Sequence, residues 1–283
     1  AEELHFARAA ERLNISPPTL TVQIQEIERR LAAQLFTRTR RSVALTSVGK
    51  VFLREAQQVL EQFTKAENAG RRAGRGELGR IEIGYIGSAA YTGVLQDQMN
   101  RFVQNYPEVY LNAYEFPMDT LPQRIDAGEV DVGFVRLPMA LPPQLHQHVL
   151  VRDHFCLAVP TDFLGKGAEH CQVFPEQISD ASFIIPEQSF GTFQVASRGS
   201  FIPNIKSAPG SLLAVLTQVS IGQGIAVCPS IVRSIIKLPE VVFLDIAGEP
   251  IISEVAAIFR SNETAPTVKN IINQILNTKV IIY

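Results

Sequence analysis

Several stretches of the chain carry side chains whose types and spacing could do chemistry. In "NISPPTLTVQIQEIERRL", Ser16 precedes the adjacent prolines Pro17 and Pro18. Apolar Leu20, Ile24, Ile27 and Leu31 then recur every three or four residues, with Thr21, Gln25, Glu28 and Arg29 between them. A hydroxyl at the N-cap and prolines in the first turn predict a helix with an abrupt start, because first-turn donors have no intrahelical acceptor to lose. The following "LFTRTRRSVALTSVGK" has a basic tip, Arg38, Arg40 and Arg41, suited to neutralising a polyanion. Further on, "YIGSAA" sets Ser88 and Ala89 after an apolar run, where hydroxyl and amide groups favour an anion. "DVGFVRLP" places Arg136 where it could pair a carboxylate through two hydrogen bonds, and "PEQSFGTFQV" brings Thr192 and Phe193 after another such run.

Other clusters carry less. His146, His148, His154 and Cys156 in "LHQHVLVRDHFCLAV" could share strand faces, but no carboxylate or CxxC anchors them, so no metal is expected. Gly222 and Gly224 in "GQG" lack the third glycine and the preceding strand of a dinucleotide loop, and read as a helix stop. With no Ser/His/Asp or Cys/His grouping, neither an enzyme nor a cofactor is expected.

The elements that must position these groups follow from periodicity. "LHFARAAERL" is a first helix, broken by "NIS"; with the helix from Pro17 it forms a helix-turn-helix, and "SVALT" supplies a wing hairpin. From about Ser47 to Arg75, Val48, Val51, Phe52, Ala56, Val59, Leu60 and Phe63 predict one long helix whose stripe calls for a second copy. "RRAGRGELGR" then marks the domain boundary. Beyond it strands and helices alternate, with helices expected at Thr92–Tyr106, Ser211–Ile221 and Thr264–Leu276. That grammar predicts α/β structure with largely parallel sheets and ligand crevices at strand ends, in two lobes.

Of 283 residues, 46% are hydrophobic and 19% charged, an ordinary globular composition. The net charge of −2 hides an asymmetry: residues 1–76 carry 13 Lys/Arg against 8 Asp/Glu, and the rest carry 13 against 20. Only the first part is expected to meet a polyanion. No apolar run reaches the length of a membrane span, and no secretory leader is seen. The chain begins inside an amphipathic pattern without Met, so a preceding segment is expected. Cys156, Cys171 and Cys228, odd in number and without CxxC, argue for reduced thiols and a cytoplasmic location.

Taken in order, "FARAAERLNISPPTLTVQIQEIERRLAAQLFTRTRRSVALTSVGK" carries the elements A-A-x-x-L, S-x-P-x-L-[ST]-x-x-I, I-E, L-F-x-R and L-T-x-x-G. It resembles the LysR-type transcriptional regulators, and the resemblance spans essentially the whole chain. "GFVRLP" and the context of Ser88 are similar to the branch that senses aromatic-catabolism compounds. The resemblance implies a winged helix-turn-helix at 1–47, a dimerisation helix at 48–76, and an effector domain at 77–283 that looks like periplasmic binding proteins. Lobe I is expected at about 77–158 and 252–283, lobe II at about 159–251. It further implies a regulator that binds double-stranded promoter DNA as a dimer or tetramer, contacts RNA polymerase, and answers a small organic or aromatic acid. Pro17, Pro18, Thr21, Val22 and Gln25 would face bases, Arg38, Arg40 and Arg41 would neutralise phosphates or enter the minor groove, and Thr46 and Ser16 would donate to phosphates. Ser88, Thr192 and Phe193 carry over as effector contacts, with Ala89, Met118 and Arg136 around them. Three departures stand out: Pro17 replaces the usual Gln, Val22 a common Arg, and Met118 a Ser or Thr. The alternative is a solute-binding protein or enzyme on the same two-lobed fold.

Overall fold

The computed structural model describes residues 1–39, 42–163 and 172–283. It divides into two compact units, Ala1–Arg71 and Arg72–Tyr283. In the first, α1 (Phe6–Arg12) and α2 (Pro17–Leu31) precede a hairpin of β1 (Phe36–Arg38) and β2 (Val43–Leu45), and α3 (Ser47–Gly74) follows. The Ser16 hydroxyl accepts the Thr19 amide at 3.2 Å, so α2 starts capped with both prolines in its first turn. It stops at Ala32, whose left-handed φ of 49° turns the chain away.

Ala10, Leu20, Leu35 and Phe36 form the small core, with Phe6 meeting Phe36 edge-on at 5.8 Å. The two recurring motif elements around it have physical reasons. Glu28 reaches back so that one carboxylate oxygen accepts the Leu35 and Phe36 amides at 2.8 and 3.2 Å, fixing where the hairpin begins. Gly49 lies against the hairpin's entry: a Cβ there would sit 2.0 Å from the Leu35 carbonyl oxygen.

The second unit opens with β3 (Gly79–Tyr85), α4 (Gly87–Ala90), α5 (Val94–Asn105), β4 (Val109–Glu115), α6 (Leu121–Asp126) and β5 (Val132–Leu137). Strand β6 (Leu145–Pro160) leads into β7 (Ser182–Ile184), α7 (Phe190–Arg198), β8 (Asn204–Ser207), α8 (Leu212–Ser220), β9 (Ala226–Pro229), α9 (Val232–Ile235) and β10 (Val241–Asp245). Strand β11 (Ile252–Arg260) returns, followed by α10 (Pro266–Leu276) and β12 (Ile281–Ile282). The main sheet runs β10-β6-β11-β5-β3-β4.

Largely parallel sheets were the expectation, and the structure corrects it to a mixed arrangement. β3 pairs parallel with β4 and β5, but β11 runs antiparallel to both β5 and β6, and β6 is antiparallel to β9 and β10. The reason is that β6 leaves lobe I and β11 returns to it side by side, so the two crossings must oppose each other. Along β6, Leu145, Leu150 and Val151 belong to one core, and Phe155, Leu157 and Val159 to another. The helix expected from Thr92 is preceded by the separate turn α4, because Gly93 at a φ of 75° interrupts it.

Replacing Gly49 by Ala forces a methyl group onto a backbone carbonyl, an overpacking cost of about 1–3 kcal/mol. Calorimetry of the full chain is expected to show earlier unfolding of the N-terminal unit with the second transition unmoved. An unchanged first transition would contradict this account of the packing.

Candidate functional site

On the outer face of α2, Pro17, Pro18, Val22 and Gln25 are exposed, Val22 by 63%. Pro18, Val22 and Gln25 follow helical spacing and share one side, offering two apolar surfaces and a single amide. Thr21 is half-buried and its hydroxyl donates to the Pro17 carbonyl at 2.9 Å, while Ser16 is engaged with Thr19. Two groups expected at phosphates have partners within the module. Thr46 caps α3, accepting the Gly49 amide at 2.9 Å and donating to the Gln34 carbonyl at 2.7 Å. Arg38 stacks 4.3 Å from the Phe6 ring centroid and stands 3.6 Å from Glu28, so it is held by the module's own core. Arg40 and Arg41 lie outside the described residues.

In the second unit, Arg136 on β5 was expected to clamp a carboxylate, yet it is only 1% exposed. One terminal nitrogen donates to Ser253 Oγ at 2.7 Å, the other to the Ser88 carbonyl at 3.0 Å. Burial pushes its pKa down to about 10, opposed by Asp153 and Glu187, so it stays charged at neutral pH. Both ends of the fork are therefore occupied. It holds the Ser88 turn to the lobe crossing instead of facing a ligand.

Ser88 and Ala89 are buried in α4, and the Ser88 amide, expected to hold an anion, donates at 3.2 Å to the carboxylate of Glu187. Glu187 belongs to the segment after β7, so a side chain of lobe II fills the anion position of lobe I. Burial pushes its carboxyl up, against the pull of Ser88 and Arg136 and with the push of Glu115. A Cβ on Gly87 would sit 2.7 Å from Glu115 Oε1 and 2.8 Å from Glu187 Oε1, so carboxylates of both lobes converge on this glycine. They also help burial to raise the Tyr91 phenol.

Around them opens a cleft of about 700 Å³ lined by residues 115–119, 185–187, 189 and 208–211. Met118 lines it. Thr192 is buried with its hydroxyl unpartnered, and Phe193 is exposed. Glu115, Asp119 and Glu187 were not among the groups singled out in the sequence; a carboxylate after an apolar run, as in "NAYEFP" and "IIPEQ", was the available signal. His146 and His148 lie on the lobe I half of β6, His154 and Cys156 at and beyond the crossing, with Cys156 facing Cys228 at 3.9 Å.

Because Glu187 favours its protonated form in the fold, the folded chain loses stability as pH rises through its raised pKa. Glu187→Gln keeps the acceptor for the Ser88 amide and removes that loss. The variant is expected to melt about 2–4 °C higher at pH 8, with the difference vanishing towards pH 4. An equal melting point at both pH values would show that the carboxylate is not under strain.

Comparison with known proteins places this geometry in context. Residues 1–50 match the model of the bacterial regulatory helix-turn-helix protein, lysR family, and residues 74–279 that of the LysR substrate binding domain. The HTH-type transcriptional regulator YnfL of Escherichia coli (strain K12) is 31% identical over 284 residues, covering 98% of this chain and 94% of that protein. XapR of the same organism is 32% identical over 233 residues (80% and 77%), and IlvR of Caulobacter vibrioides 29% over 282 (96% and 92%). Among solved structures, full-length CbnR with its target DNA aligns at a TM-score of 0.78 and 24% identity, over 98% of this chain and 95% of that one.

Proposed function

The chain belongs to the LysR family and is a DNA-binding transcriptional regulator with an effector-binding domain, not an enzyme; on that premise we propose how its parts divide the work. The observation that carries the reading is α2, which starts capped and leaves Pro18, Val22 and Gln25 on one free face. This face enters the major groove, where two apolar surfaces suit thymine methyl groups and Gln25 suits an adenine edge. The usual amide and guanidinium are missing at Pro17 and Val22. Direct readout is correspondingly thin, and the DNA's shape takes a larger part in selection. Arg40 and Arg41, which follow β1 in the sequence, neutralise phosphates.

Val48, Val51, Val59, Leu60 and Phe63 leave a stripe of α3 exposed at 43% to 67% each, which supports a second copy packing along it. Two recognition helices then read half-sites roughly 34 Å apart. Two such dimers on a bent operator, in the cytoplasm beside RNA polymerase, complete the assembly we propose. No helix among the described residues is long and apolar enough to cross a membrane.

The cleft between the lobes is the effector site, and a ligand that holds the lobes together selects one arrangement of the oligomer. The relatives do not single out the aromatic-catabolism branch that the sequence resembles. Nor does the cleft support the acid expected from the sequence, since Arg136 and the Ser88 amide are both engaged within the protein.

Fluorescence anisotropy on the chain's own promoter tests the reading. Tighter binding than to random duplex, weakening steeply with salt, is expected; equal affinity for both would sink it. Phe63→Glu should leave a monomer in sedimentation and cost at least tenfold in operator affinity, whereas a variant still dimeric would move the interface elsewhere. Pro17→Gln should shift the bases selected from a randomised operator library, and an unchanged preference would remove that residue from the groove.

A further inference from the structure

The charge of the effector can be read from the cleft, an inference that rests on the cleft being the effector site. Three of its lining residues are carboxylates, Glu115, Asp119 and Glu187, and among the described residues none is Lys, Arg or His. Glu115 and Glu187 come from opposite lobes yet converge within 2.8 Å of one point beside Gly87. Nearby guanidinium groups are committed elsewhere. Arg136 is sealed behind Ser88, and Arg124 stacks 4.9 Å from the Phe116 ring centroid while pairing with Glu129 at 2.7 Å.

A second observation points the same way. Gln188, 8% exposed, reaches from lobe II across the inter-lobe gap so that its Nε2 donates to the Pro138 carbonyl at 2.9 Å. That bond fixes which end of the amide is nitrogen, and the remaining Oε1 is a buried acceptor with no donor. A buried acceptor in need of a proton thus sits next in the chain to Glu187, a lining residue of the cleft.

We propose that the effector is a small organic cation, an ammonium or guanidinium group on an apolar body, bound between Glu115 of one lobe and Glu187 of the other. The apolar body would lie along Phe116, Met118 and Ile185, which line the same cleft. A positive group between two converging carboxylates removes their mutual repulsion and draws the lobes together, whereas an anion must first displace Glu187 from the Ser88 amide and then face Glu115. A bare metal ion fits less well: among the described residues no group of three or more His, Cys, Asp and Glu side chains is placed to hold one.

The test uses three probes of one shape and different charge, benzamidine, benzamide and benzoate, with agmatine and phenethylamine as further cations. Each is added at millimolar concentration to the full chain at pH 7.5 in a thermal-shift assay, and hits are titrated by calorimetry. The expected result is stabilisation by at least one cation, about 5 °C or more at roughly a hundred times its Kd, with benzamide and benzoate inert. Binding of that cation should weaken at least tenfold in Glu115→Gln and in Glu187→Gln, both of which keep an amide acceptor in place. Stabilisation by benzoate alone, unchanged or stronger in Glu187→Gln, would overturn the cation and leave the cleft as the effector site. A cation that binds equally well to both variants would overturn the cleft reading too. No shift from any of the cations would also count against the proposal.

Discussion

A guanidinium withdrawn from water between two lobes is the constraint around which the sensor half is arranged. Arg136 cannot shed its charge at neutral pH, so its surroundings must supply partners from every side. Ser88 comes from the turn after β3, Ser253 from the head of β11, and Asp153 from the facing position on β6, where the two strands pair. Asp153 in turn accepts the Ser230 hydroxyl at 2.6 Å and the Ile231 amide at 3.0 Å, tying lobe II to the same point. One buried charge therefore links both crossing strands, the first turn of lobe I and the end of β9. The cleft carboxylates adjoin this field: the half-buried Glu187 favours the charged form of Arg136, and Glu115 converges with Glu187 beside Gly87.

The N-terminal unit follows the same economy on a smaller scale. Its core is too small to hold a helix pair by area alone, so polar side chains take structural posts. Glu28 anchors the hairpin, Thr46 starts the next helix, Ser16 starts α2, and Arg38 covers Phe6. Each of these could be mistaken for a free surface group. What α2 keeps free for an outside partner is the narrow face bearing Pro17, Pro18, Val22 and Gln25.

Elements with strong local signals were legible in the sequence: the capped double-proline helix, the long striped helix from Ser47, and the alternation of strands and helices beyond it. Periodicity and capping are local properties, and the structure places these helices within a residue or two of the expected bounds, α3 ending at Gly74 and α8 beginning at Leu212. Relative strand direction was not legible, because whether β11 lies parallel or antiparallel to β6 depends on how the chain returns, not on either strand's composition. Side-chain partners were hidden for the same reason. Nothing near Arg136 announces Ser253, 117 residues away, and nothing near Ser88 announces Glu187. An arginine at a strand end therefore looked like a ligand clamp and turned out to be a keystone.

Strand β6 runs for 16 residues and contributes to three separate cores. Beyond the irregularity that sets Val255 against Val151 and Ala256 against Val149, Phe155, Leu157 and Val159 belong to one core and Cys156 and Ala158 to another, so gaining or losing a single residue near His154 would exchange the two sets. The stretch beyond His154 thus has a fixed length. Descendants of this chain can therefore tune either lobe by substitution, and graft a foreign lobe only by cutting through both crossing strands in matched register.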